Sequence, residues 1–122
     1  MHADEITETI LNCAFEVANT LGCGFVEKVY ERALMHELRD RGLKVKAQAS
    51  LRVPYKGRVV GEYFADLLVE DQIVVELKCA ERFAPEHLAQ CINYLKAADL
   101  RIALLLNFQR TRLQWKRVVH KA

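Results

Sequence analysis

The chain has 122 residues and a mass of 14.0 kDa, enough for one domain spanning residues 1–122, with a hydrophobic fraction of 52% to fill its core. Eighteen basic against 16 acidic residues leave a net charge of +2, which removes any global electrostatic argument for nucleic acid. The four cysteines show no Cys-x-x-Cys spacing and no signal peptide precedes the acidic start, so secretion and a zinc site are set aside and a cytoplasmic chain with reduced thiols is expected.

Ile6, Ile10, Cys13, Ala14, Val17 and Leu21 recur at helical spacing and predict a first helix that stops at Gly22. A second helix is expected from about Val26 to Arg41, with Val29, Ala33, Leu34 and Leu38 facing inward and Gly42 beyond its end. Glu27 falls in its first turn, where the helix dipole favours an acid in any case, and Tyr30 shares its face. Leu43 to Ala47 leads into a strand from about Gln48 to Tyr55, and Pro54 marks that strand as an edge. Turn residues Lys56-Gly57-Arg58 introduce a second strand from Val59 to Val69, and a third runs from Ile73 to Cys79.

Glu81 to Ala84 form a loop, after which Pro85 opens a helix reaching about Ala98, with Leu88, Ile92 and Leu95 inward. Ile102 to Asn107 is a short continuous apolar run and reads as a buried strand. A helix joins it to the third strand, which suits a parallel crossover. Leu113, Trp115 and Val118 suggest a last strand in which Gln114, Lys116 and Arg117 are wet. That stretch gathers Arg101, Arg110, Arg112, Lys116, Arg117 and Lys121, a basic edge able to face phosphate. The longest unbroken aliphatic run, residues 102–106, is far short of the ~20 residues that a membrane-spanning helix needs.

The chemistry concentrates between Asp66 and Lys78. Strand side chains alternate between faces, so Glu76 and Lys78 share one face while Ile73, Val75, Leu77 and Cys79 share the other. The same count places Asp66 with Phe64 and Glu62. If Glu70-Asp71-Gln72 is a hairpin loop, Val69 opposes Ile73, Leu67 opposes Val75, and Asp66 falls across from Glu76. Two carboxylates then converge beside an ammonium, an arrangement that needs solvent, a shared proton or a bound cation. Two hard oxygen donors suit Mg²⁺ or Mn²⁺, and a lysine beside the ion can hold an attacking water or offset phosphate charge. A solvated hairpin face carries the same residue types, so this spacing alone does not decide. On the third helix, Gln90 and Tyr94 stand four residues apart and can point two polar groups in one direction, with His87 on the same face.

Several spaced blocks resemble a known family over nearly the whole chain. Gly24-Phe25-Val26-Glu27-Lys28-Val29-Tyr30 fits the signature of the GxxExxY proteins, and Tyr63 to Val69, Val75-Glu76-Leu77-Lys78, Gln90 with Asn93-Tyr94-Leu95-Lys96, and Leu104 to Phe108 follow in order. That family looks like a branch of the PD-(D/E)XK nucleases. The resemblance implies an α/β, restriction-endonuclease-like αα-βββ-α-ββ core with a mixed sheet flanked by helices. It implies Asp66, Glu76 and the carbonyl of Leu77 as metal ligands, Glu27 as an outer acid acting directly or through water, and Lys78 beside the nucleophile. Gln90 and Tyr94 match the Gln-x-x-x-Tyr of RecB-type members, and with Tyr30 they would bind substrate or support the site. Ala65 stands where the superfamily name has proline, and Asp99, Ala103 and Gln109 where the family often has glycine. The function implied is Mg²⁺- or Mn²⁺-dependent hydrolysis of nucleic acid, DNA before RNA, by the chain alone, as a homodimer or with a partner protein. The alternative is a noncatalytic binding or assembly module that keeps the fold.

Overall fold

The computed structural model describes residues 2–121, so Met1 and Ala122, the two ends of the predicted domain, lie outside the described residues. In chain order the elements are α1 (Ala3–Leu21), α2 (Glu27–Asp40), β1 (Val45–Tyr55), β2 (Arg58–Val69), β3 (Ile73–Lys78), α3 (Pro85–Ala98), β4 (Ile102–Asn107) and β5 (Gln114–Val119). One five-stranded sheet has the order β1-β2-β3-β4-β5. β3 and β4 are parallel and the other neighbours antiparallel, so the sheet is mixed as predicted. α3 supplies the crossover that two parallel strands require.

β3 and β4 are the buried centre, because helices cover both faces of the sheet there. On one face Ile73, Val75, Leu77, Leu104 and Leu106 pack with Ile6, Ile10 and Val17 of α1 and Leu34 and Leu38 of α2. On the other, Val74, Ala103 and Leu105 pack with Cys91, Tyr94 and Leu95 of α3. Alternation from Val74 therefore turns Glu76 toward α3, where it is 3% exposed.

Several boundaries and faces differ from expectation for identifiable reasons. β1 starts at Val45 rather than Gln48, because Val45 is buried and pairs with Val69. β3 closes at Lys78, one residue before Cys79. α2 buries Tyr30, Glu31, Leu34 and Leu38, whereas Val29 and Ala33 are only half-buried. In α3 the buried stripe is Cys91, Tyr94 and Leu95, with Leu88 and Ile92 at its margin. Trp115 lies opposite Leu106 on edge strand β5 and stays 44% exposed, so Leu113 and Val118 carry the inward role there. Pro54 does sit on an edge strand, beside a register shift between Val53 and Pro54.

The β1–β2 hairpin is much longer than β3, which pairs with it only through Leu67, Leu68 and Val69. Along this hairpin the alternation slips at one rung. Val45 and Leu67 belong to the α1–α2 face, yet Leu51 and Ala65, at odd positions on the same two strands, belong to the α3 face. The slip falls between Ala47 and Ala49 on β1 and between Ala65 and Leu67 on β2, at Gln48 and Asp66. Gln48 has φ 51, a left-handed backbone that costs a non-glycine residue about 1 kcal/mol. Phe64 consequently ends 51% exposed, and the expected grouping of Asp66 with Phe64 and Glu62 on one regular face is replaced by this slip.

Candidate functional site

The predicted hairpin register is observed: Val69 opposes Ile73 and Leu67 opposes Val75. Beyond Leu67 the side chains take over the pairing. The Asp66 N–H donates to Glu76 Oε1 at 3.0 Å, and the Leu77 N–H donates to Asp66 Oδ2 at 2.8 Å. Each carboxylate thus satisfies the backbone of the opposite strand, which holds the two acids together at the end of the shared ladder. Burial and the neighbouring Asp66 charge push the Glu76 carboxyl up to about 8, with Lys78 pulling the other way. Near neutral pH the pair therefore holds a proton.

Lys78 is half-buried at the end of β3, on the side of the strand that carries Glu76. Its carbonyl accepts from the Phe108 N–H at 3.0 Å. The following turn is fastened by Asn107, fully buried, whose Nδ2 donates to the Ala80 carbonyl at 2.7 Å and whose Oδ1 accepts from the Ala80 N–H at 3.2 Å. Asn107→Ala should lower stability by about 2–4 kcal/mol in chemical denaturation, because it leaves both Ala80 groups without a partner.

Glu27 reaches the same exit from α2: its Oε2 accepts from the Cys79 N–H at 3.3 Å. It is exposed, and among the described residues no three His, Cys, Asp or Glu side chains gather into a ready-made ion cage. Glu27 therefore stands at the exit of β3, at a residue three positions beyond Glu76. Tyr30 is fully buried, stacked on Phe108 at 4.7 Å between ring centres. Its hydroxyl donates to the Gly22 carbonyl at 2.6 Å and accepts from the Phe25 N–H at 3.2 Å. Those contacts close the α1–α2 turn and leave Tyr30 no surface for a substrate.

From α3, Gln90 Nε2 donates to the Tyr94 hydroxyl at 2.9 Å. Both line a shallow surface cleft with Tyr63, whose ring lies 5.3 Å from that of Tyr94. Burial, Glu76 and Asp66 push the Tyr94 phenol up to about 12, so it stays protonated. His87 is occupied elsewhere, accepting the Ala84 N–H at the start of α3.

Two further residues belong to the site that spacing did not single out. Glu31 is 6% exposed and binds Lys28 Nζ at 2.8 Å and Gln48 Nε2 at 2.8 Å. The same Gln48 nitrogen lies 3.5 Å from Asp66 Oδ1. Glu31 is one helical turn after Glu27 on the same face, a signal present in the sequence; nothing in the sequence marked Gln48.

A divalent cation fits this donor set. Asp66 and Glu76 are two adjoining oxygen donors whose charges the structure balances only in part, and Mg²⁺ is commonly held by one or two carboxylates plus water and substrate oxygens.

Comparison with known proteins agrees with the architecture. No curated protein matches the chain. Among solved structures, a protein designated SSO0001 superposes with a TM-score of 0.61 at 17% identity over 78% of this chain, which spans 50% of that protein's length. An alkaline exonuclease from Laribacter hongkongensis superposes with a TM-score of 0.52 at 13% identity, covering 98% of this chain and 83% of the exonuclease. The same exonuclease in complex with dAMP gives 0.53 at 12% identity, with 93% and 81% covered. The fold is thus restriction-endonuclease-like. Residues 4–118 match the PD-(D/E)XK nuclease superfamily, and the chain belongs to that superfamily.

Proposed function

We propose that the protein hydrolyses phosphodiester bonds of nucleic acid, DNA before RNA, with Mg²⁺ or Mn²⁺, as a GxxExxY-type member of its superfamily. The observation that carries this reading is the acid pair: Asp66 and Glu76 on neighbouring strands, tied through each other's backbone, with Lys78 two residues along. Asp66, Glu76 and the Leu77 carbonyl would hold the ion, with Glu27 acting through water. The ion would polarise the scissile phosphate and lower the pKa of a bound water. Lys78 would orient that water or offset developing charge. Tyr94, kept protonated and hydrogen-bonded to Gln90, can donate to a phosphate oxygen. The dAMP-bound exonuclease supports a nucleotide ligand for this fold.

A second reading, a nuclease-like subunit or binding module that pairs with a second copy or with a partner protein, is favoured by the outer hairpin. Val59, Val60 and Phe64 are each more than half exposed there, a patch of the kind that protein partners cover. The deciding measurement is cleavage of mixed DNA and RNA by purified protein with Mg²⁺ or Mn²⁺. Activity that chelation removes and Glu76→Ala abolishes supports the nuclease. Equal traces from both proteins refute catalysis by the isolated chain.

A further inference from the structure

We propose that Gln48 is a positioning residue for the ion site, its side-chain amide orienting the Asp66 carboxylate while buried Glu31 anchors the amide. This rests on the reading of Asp66 and Glu76 as ligands of a divalent cation.

Three features of the molecule meet at Gln48. Its backbone is left-handed in the middle of a strand, a conformation that glycine adopts freely and glutamine does not, and such strain persists only where surrounding contacts enforce it. Its rung is also where β1 and β2 change faces, so Gln48 lies across from Asp66 at the point where both strands depart from regular alternation. Finally, its one amide nitrogen carries two hydrogens and faces two acids, Glu31 Oε1 at 2.8 Å and Asp66 Oδ1 at 3.5 Å.

The two acids play different parts. Glu31 is fixed from both sides, by Gln48 on Oε1 and by Lys28 on Oε2, and its burial leaves no room for a hydrated ion. It is an anchor. Asp66 receives the Leu77 N–H on Oδ2 and the Gln48 amide on Oδ1, one donor for each oxygen, so each retains a lone pair for a cation. A neutral amide suits this task, because a lysine or arginine there would compete with the metal for the same carboxylate. Carboxylate ligands are commonly held by such partners, and losing one costs roughly 10–100-fold in metal affinity.

The test is Mn²⁺ affinity by titration calorimetry, with the melting temperature of the metal-free protein, for the parent, Gln48→Gly, Glu31→Gln and Asp66→Asn. Gln48→Gly should weaken Mn²⁺ binding about tenfold or more while the melting temperature of the metal-free protein changes little, since relief of the strained backbone offsets the hydrogen bond lost to Glu31. Glu31→Gln, which can still accept from the Gln48 amide, should lose less affinity than Gln48→Gly, and an equal loss would overturn the anchoring role. Unchanged affinity in Gln48→Gly would overturn the positioning role alone. A fall in affinity together with a fall in melting temperature would also overturn it, because an ordinary structural residue behaves so. If the parent binds no Mn²⁺, or Asp66→Asn binds it equally well, the ion-site reading itself fails and takes this inference with it.

Discussion

Raising the pH from 5 to 8 should lower the melting temperature of the metal-free protein by about 10 °C, and Glu76→Gln should remove most of that slope. The cause is the Glu76 carboxyl, buried against Asp66 and pushed from its ordinary 4.5 up to about 8. Between those values the folded protein holds a proton that the unfolded chain has released. The contribution is therefore fully present below about pH 4.5 and is lost as the pH rises through about 8. At 1.36 kcal/mol for each unit, even a reduced shift is worth about 3 kcal/mol, and each kcal/mol moves the melting point of a chain this size by roughly 3–4 °C. Mg²⁺ or Mn²⁺ at pH 8 should restore the melting point, because the cation replaces the proton between the two acids. Affinity for the ion should accordingly weaken toward pH 5. A flat melting curve between pH 5 and 8, identical in Glu76→Gln, would show that Glu76 is ionised and solvated in the folded chain.

Lys78→Met should reduce cleavage by on the order of a hundredfold or more while leaving the fold and ion binding intact. The side chain is half-buried, and the backbone on which it stands is fixed by the Phe108 N–H and by the Asn107 clasp on Ala80. Methionine keeps the length of the stem and removes only the charge. Both carboxylates remain, so Mn²⁺ should still bind. A preorganised ammonium beside the attacking water is the kind of group whose loss costs 10²–10³ in rate. A surface lysine, by contrast, changes stability by no more than about 1 kcal/mol and affects no single step. Equal cleavage by the parent and Lys78→Met would assign that activity to a contaminant. Equal binding of nucleic acid or a protein partner without any cleavage would favour the module.

The acid pair was legible because it depends on counting. A three-residue loop between two apolar runs sets the register, and register places residue 66 opposite 76 without any knowledge of the tertiary structure. Element order was legible for the same reason, from periodicity and from punctuation at Gly22, Pro85 and the Lys56-Gly57-Arg58 turn. Tyr94 was harder: period alone put it with His87 and Gln90 on a different face from the core stripe of α3, while packing placed it within. The slip at Gln48 could not be read at all, because a left-handed glutamine has no local signature and is stabilised by Glu31 and Asp66, 17 and 18 residues away. Trp115 erred in the opposite direction. A large aromatic in an alternating strand looks inward, but an edge strand leaves one flank bare.

The clasp around Tyr30 bears on when the protein becomes competent during its synthesis. Tyr30 closes the turn at residues 22–25 and stacks on Phe108, which in turn secures the backbone of Lys78. Segments about 50 and about 30 residues apart thus meet at the end of β3, and the last of them, at Phe108, is made after both of the others. Such distant contacts form late, after the local helices and the hairpin. A nascent or truncated chain that already contains Asp66, Glu76 and Lys78 would have these groups without the scaffold that aims them. Competence would arrive only once Phe108 has docked on Tyr30, after the acid pair itself has been made.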